Sequence, residues 1–333
     1  MTTITVSSSA GLVTALKSAV GGDTILLAAG NYGKISLSKL SFTSEVTIRS
    51  TDPANRAVIT GATIANSKNI RLDALDVRFT PTATTYAWSS AIDIDKSSNI
   101  AITNSKMKGG LAVNGVPIEA VKLDQSGNVL GLPAGRAISV SNSSMIRLAA
   151  NDIGVFHKGI VLSGINGITV SGSNIHDLRS TPISGGNVSN LTVTDNHLHD
   201  STPWRFQLGG DHGDFVHIWT TTGQTGASSN YTIARNFIDQ GRGQALLGIY
   251  LDDNDNQKGF TGVRITDNVI FNDDGQGVRL ENTHNAVVSD NTLIQSRATL
   301  GEAPAFVFTK GTDSITSTRN ILSGAPSLDW FRP

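Results

Sequence analysis

The stretch "NLTVTDNHLHD" (190–200) decides the fold once it is laid over "GITVSGSNIHD" (167–177), at a step of 23 residues. Both alternate apolar and polar residues, turn at a polar corner, and resume with a second apolar pair. Alternation of this kind is the mark of a half-buried strand. Further copies follow in "NYTIARNFIDQ" (230–240), "GVRITDNVIFN" (262–272) and "AVVSDNTLIQS" (286–296). Looser ones precede, in "NIRLDALDVRF" (69–79), "NIAITNSKMKG" (99–109) and "MIRLAANDIGV" (145–155). A second strand type recurs as "KGIVLSG", "DFVHIWT", "LGIYLDD" and "QGVRLEN".

Short strands at a period near two dozen residues have one good solution. Each repeat is a coil that cannot bury its apolar face alone, and stacked coils form parallel sheets around a continuous core. The expected fold is all-β, a right-handed single-stranded parallel β-helix with a short N-terminal capping helix. Asn196, Asn236, Asn268 and Asn291 recur at one corner, where stacked amides hydrogen-bond along the axis and Asn tolerates a left-handed backbone. The rival, a β-sandwich, needs tight hairpin turns, and Asn-Gly pairs are nearly absent. Residues 8–20, "SSAGLVTALKSAV", read as an amphipathic helix with Ser8 or Ser9 as N-cap. The expected organisation is one domain over 1–333: a cap at 1–22, coils at 23–310, and an end at 311–333, where "SGAPSLDWFRP" loses the pattern.

Composition narrows the function classes. Of 333 residues 16% are charged and the formal net charge is −1, with no Lys/Arg run, which argues against nucleic acid as partner. No apolar run is long enough to span a membrane. The N-terminus lacks the basic and apolar regions of a cleavable signal peptide. With no cysteine, the chain forms neither disulfides nor thiolate metal sites.

The helix, "GGDTILLAAGNYG" (21–33) and the repeated "VTDN-x-I" coils resemble right-handed parallel β-helix proteins. That family includes pectate and alginate lyases, mannuronan C5-epimerases, glycoside hydrolases and phage tailspikes. The resemblance covers nearly the whole chain in architecture. It implies a carbohydrate partner, here an acidic polysaccharide, an extracellular or virion-associated setting, and a monomer or homotrimer.

The stretch "LGGDHGDFVHIWTT" (208–221) gathers Asp211, His212, Asp214, His217 and Trp219, in a chain with seven histidines in all. When the second strands are aligned on their apolar pairs, Val216/Ile218, Ile249/Leu251 and Val278/Leu280 point inward. His217, Tyr250 and Arg279 then share one outward column, and Trp219, Asp252 and Glu281 the next. The alignment puts Val161 or a neighbour one coil earlier. A base, a phenol and a guanidinium in one row suit β-elimination from a uronate. Arg279 would neutralise the carboxylate, His217 as neutral imidazole would take the C5 proton, and Tyr250 would protonate the leaving O4 or, with its pKa lowered by a nearby cation, act as the base. C5-epimerisation shares the first half of that reaction.

Around this column, Asp214 would orient His217 or hold Ca²⁺, and His212 joins the catalytic set. Trp204, Arg205, Trp219, His176, His199 and Glu281 are the candidate substrate contacts. His176–Asp177 and His199–Asp200, with Asp239 next in line, are either a second part of the cleft or a polar corner in which each His bonds its Asp. Asp252, Asp253 and Asp255 offer hard oxygen ligands for Ca²⁺, or a solvated acidic turn. Clustered aspartates also supply the rival chemistry of glycoside hydrolysis. A third possibility is a glycan-binding virion spike without catalysis. Arg205, Arg242, Arg264 and Arg279 are candidates for a basic strip.

Overall fold

A computed structural model describes every residue except 83–84, 87, 113–130, 204, 207–208, 254–257, 298–300, 310 and 324–333, and only the backbone of 205–206 and 209–210. The chain divides into two units, Met1–Ile160 and Val161–Pro333. Both are built from parallel coils, because an alternating strand buries one face only when an identical strand stacks on it.

In the first unit the strand Thr3–Val6 pairs in parallel with Thr24–Leu27, which pairs with Ser41–Ser50. The ladder continues through Lys68–Asp73, Ser98–Thr103 and Ser144–Ala149. The helix α1 (Ser9–Ser18) follows the first of these strands. The Ser8 hydroxyl caps it by accepting the Gly11 N–H at 3.1 Å, and Leu12, Ala15 and Leu16 form its buried stripe. Serines turn the corners here. Ser97 Oγ accepts from the Ser67 N–H, and Ser143 Oγ from the Ser97 N–H.

Each coil of the second unit has three strands. The first-face strands are Ile183–Gly186 (the start of a longer strand), Asp214–Trp219, Leu247–Asp252, Gln276–Leu280 and Ala305–Phe308. The second face stacks Leu191–Thr194, Ser228–Ala234, Phe260–Thr266, Thr283–Ser289 and Asp313–Thr318. The third stacks Asn174–His176, His197–His199, Phe237–Asp239, Val269–Asn272, Thr292–Gln295 and Ile321–Ser323. The coils thus run past residue 310 into the segment expected to be a non-repeating end. The stretch 324–333 lies outside the described residues. Val216, Ile218, Ile249, Leu251, Val278 and Leu280 are all fully buried, as the alternation requires.

The corner between the second and third strands carries the asparagine ladder. Asn196 Nδ2 donates to Asn236 Oδ1, Asn236 to Asn268 and Asn268 to Asn291, each at 2.9 Å, and Asn291 to Asn320 at 3.0 Å. Each receiving oxygen also accepts the backbone N–H of the preceding asparagine. The second amide hydrogen of Asn196, Asn236 and Asn268 goes to a strand carbonyl: Val170, Val193 and Ile233. The left-handed position is not the asparagine, as its chemistry suggested, but the residue before it: Asp195, Arg235, Asp267, Asp290 and Arg319, with φ of 53–60°. These face solvent, and Arg235–Asp195 and Arg319–Asp290 pair across coils. The asparagines are kept for the interior, where an unpaired amide is costly.

Asn236→Ala leaves the Asn196 N–H and the Val193 carbonyl buried without their partners. It is expected to destabilise the second unit by about 4 kcal/mol, at roughly 1–3 kcal/mol for each orphaned group. Asp195→Asn, which removes the charge pairing with Arg235 and keeps a side chain that tolerates the left-handed corner, is expected to cost under about 1 kcal/mol. Denaturant unfolding of the two variants side by side checks both values.

Candidate functional site on the first face

The expected column is present. His217 pairs in register with Tyr250, and Tyr250 with Arg279. The coil before His217 contributes Ser184, not Val161, because the strand Ile183–Gly186 lies between them. Its sequence, "ISGG", has too few side chains to declare itself as a strand. On the far side Arg279 is followed by Val307. The polar column is therefore Ser184, His217, Tyr250 and Arg279, with adjacent strands about 4.8 Å apart. The neighbouring column pairs Gly186 with Trp219 and Trp219 with Asp252. Gly186 has a steric reason. A Cβ there would stand 2.5 Å from Trp219 Nε1 and 2.6 Å from Thr221 Cγ2, so glycine lets the indole lie against the strand.

The rings of His217 and Tyr250 stack at 4.8 Å between centroids and 11° between planes. Arg279 caps the stack, with its guanidinium carbon 5.0 Å from the Tyr250 centroid. Every cation in this stack also meets a carboxylate of the same chain. His217 Nδ1 lies 3.0 Å from Asp214 Oδ2, and its Nε2 is 3.3 Å from Asp252 Oδ2. Arg279 donates to Glu281 Oε1 through Nε at 2.9 Å and to Gln276 Oε1 at 2.7 Å. The Tyr250 hydroxyl donates to the same Glu281 oxygen at 3.1 Å.

The protonation states follow from these contacts. Burial pulls the His217 imidazole down, but Asp214 and Asp252 outweigh it and push its pKa up to about 9. Burial likewise raises the Asp214 carboxyl, and His212 and His217 more than reverse that, holding it below its ordinary value. Tyr250 is raised by burial and then by the charges of Asp252 and Glu281. At neutral pH the stack is an imidazolium, a phenol and a guanidinium, so the neutral imidazole base expected at His217 is not the resting form.

The loop before the His217 strand is tied down. Arg179 holds Asp211 through two bonds, at 2.6 and 3.0 Å. Ser180 Oγ donates to the His212 carbonyl, and the Asp214 N–H reaches Thr181 Oγ1 at 3.4 Å. His212 Nδ1 comes within 2.8 Å of Asp214 Oδ2. Among the described residues, His212, Asp214 and His217 form the group whose ligand atoms, all within 4.8 Å of one another, are suited to a metal ion.

The other candidates divide. Trp219 sits beside His217, ring centroids 5.2 Å apart, and Glu281 and Asp252 belong to the site. Trp204 and Asp255 lie outside the described residues, as does the side chain of Arg205. Asp253 holds its own turn together. It accepts from Thr220 Oγ1 at 2.6 Å, the Gly259 N–H at 2.9 Å and Asn282 Nδ2 at 2.6 Å. His176 and His199 stand on third-face strands, in register with each other, and His199 with Asp239. Their Nδ1 atoms meet Asp177 and Asp200 at 2.7 and 2.8 Å, and Arg242 bridges the two aspartates. That is the polar-corner arrangement. The basic strip does not form as a unit, since Arg242 is at this corner and Arg264 is on a second-face strand.

With this geometry in place the relatives are informative. The sequence matches the family described as "Right handed beta helix region" over residues 136–322, more than half of the chain, and the protein belongs to that family. No curated protein matches it significantly by sequence. Among solved structures it is similar to PfbA, a surface adhesin of Streptococcus pneumoniae, at 15% identity and a TM-score of 0.58, over 95% of this chain and 86% of that one. It is similar to the Dettilon tailspike protein at 12% identity and a TM-score of 0.57, over 94% of this chain and 57% of the tailspike's. A hyperthermoactive exopolygalacturonase from Thermotoga maritima gives 9% identity and a TM-score of 0.55, over 92% and 81%. At these identities the likeness is one of fold. Among the described residues no helix is long and apolar enough to cross a membrane.

The third-face corner yields a pH prediction. Burial raises the Asp200 carboxyl, but Arg242 and His199 outweigh it and hold its pKa at about 2, against an ordinary 3.8. A depressed carboxylate stabilises the fold fully above its unfolded value and loses that contribution as pH falls through the folded value. Stability is therefore expected to drop between about pH 4 and pH 2. The drop should be shallower in Asp200→Asn, as followed by thermal melts across that window.

Proposed function

We propose that the protein cleaves a polysaccharide laid across the first face of its second unit, with Asp252 and Glu281 as the working carboxylates and His217 and Tyr250 as proton carriers beside them. The observation that carries this reading is the alternation of acids and donors on consecutive coils. Asp252 directly follows Leu251 and Glu281 directly follows Leu280, two residues that pair in register, so the two acids stand on neighbouring strands, whose backbones run about 4.8 Å apart. Two acids on adjacent coils of one face suit glycoside hydrolysis.

The internal pairings weigh against elimination, and for hydrolysis the sugar must displace Arg279 and His217 from the two acids. β-Elimination needs a cation free to neutralise the substrate's uronate carboxylate. Arg279 is held by Glu281 and Gln276, and His217 by Asp214 and Asp252. One observation supports a uronate lyase as the second reading. The Tyr250 phenol, kept protonated and packed between imidazole and guanidinium, is placed as a proton donor to a leaving oxygen. An extracellular or virion-associated setting belongs to this proposal, in keeping with an adhesin and a tailspike among the similar structures.

Incubation with a panel of neutral and uronate polysaccharides, read by reducing ends and by ultraviolet absorbance, separates the chemistries. Hydrolysis yields reducing ends without new absorbance, and elimination yields both. Absence of either signal across the panel, with binding retained, would replace cleavage by glycan binding alone. On a cleaved substrate, Asp252→Asn and Glu281→Gln are each expected to lower kcat by at least about 100-fold with KM little changed. Tyr250→Phe, which preserves the stack, is expected to cost about 10- to 100-fold.

A further inference from the structure

We propose that His212, Asp214 and His217 form a binding site for a first-row divalent transition-metal ion, of the zinc, manganese or cobalt kind. Two imidazoles and one carboxylate are borderline ligands suited to such ions, whereas Ca²⁺ calls for six to eight oxygens.

Four observations point the same way. The first is spacing. His212 Nδ1 and His217 Nδ1 lie 2.8 and 3.0 Å from Asp214 Oδ2. Ligands about 2.1 Å from one ion and at right angles to each other stand about 3 Å apart. The second is that the Asp214 carboxylate is completely buried and neither oxygen accepts a hydrogen bond among the described residues. The two ring nitrogens are the groups that stand close to Oδ2. At neutral pH the His217 imidazolium compensates this buried charge, and a divalent ion that displaces its Nδ1 proton would take over that role with all three atoms in reach.

The third observation lies behind the ligands. His217 Nε2 makes its hydrogen bond to Asp252 Oδ2. When an ion displaces the Nδ1 proton of the resting imidazolium, that bond keeps the remaining proton on Nε2 and leaves the Nδ1 lone pair facing Asp214, the carboxylate–histidine–metal relay by which proteins orient ligating imidazoles. The fourth is rigidity. The loop carrying His212 is fastened by Arg179 to Asp211, by Ser180 to the His212 carbonyl and by Thr181 to the Asp214 N–H. His212 is two-thirds exposed, so the ion has a path in from solvent and positions left open for water or substrate.

The test needs no glycan, so its outcome is independent of the proposed cleavage. Full-length protein stripped with a chelator is titrated with Co²⁺ and with Zn²⁺, followed by calorimetry and by the visible absorption of bound Co²⁺. One ion per chain with a dissociation constant in the micromolar range or tighter is expected. His212→Ala, at an exposed position that leaves the core intact, is expected to weaken binding at least 10-fold and to shift the Co²⁺ spectrum. Millimolar Ca²⁺ is expected not to displace Co²⁺. The proposal is overturned if no ion binds, if His212→Ala binds as tightly and with the same spectrum, or if Ca²⁺ displaces Co²⁺. The three residues would then be an acid–base set in which Asp214 only orients the imidazoles.

Discussion

The second unit depends on a hydrogen-bonded chain of buried asparagine amides. Each coil turns its corner by leaving one backbone N–H pointing inward, and the asparagine of the next coil supplies the oxygen that receives it. The same oxygen takes the neighbouring amide, so a coil is completed only when its successor is in place. The site inherits this constraint. His217, Tyr250 and Arg279 can stack because register is fixed at the corner, several residues away from any of them.

Much of the fold was legible because strand alternation leaves little choice. Once Val216/Ile218, Ile249/Leu251 and Val278/Leu280 are read as inward, the outward column follows without adjustment, and the structure pairs those residues in that register. The third-face step from His176 to His199 and on to Asp239 was legible for the same reason. What escaped has physical causes too. The Ile183–Gly186 strand is hidden because glycine erases the alternation, and it is glycine because Trp219 occupies the space. The left-handed corner position was misplaced by one residue, since the preference of Asn for that backbone gave way to the need for a buried amide. The convergence of His212 on Asp214 depends on how Asp211, His212 and Asp214 are tied to residues 179–181, and no periodicity encodes that.

The electrostatics of the site are self-contained. Three groups that carry or share protons face three carboxylates of the same chain, so the protein enforces its own protonation pattern before any ligand arrives. This is why the imidazole expected to serve as a free base rests as a cation, and why Arg279 is a structural cap on the tyrosine. A site arranged this way favours ligands that insert between existing pairs over ligands that simply bring the missing charge.

The one-directional amide chain has a consequence for how such a protein can change. Its donors and acceptors repeat identically from rung to rung, so a whole coil is the smallest unit that can be gained or lost without orphaning a polar group. Insertions of a few residues are confined to the loops between strands, where the stretch before Asp214 already lies. Lineages of this architecture are therefore free to lengthen by duplication and to vary their loops, while the pitch separating one first-face residue from the next stays constant. That face is a fixed ruler, with one residue per column presented at each coil.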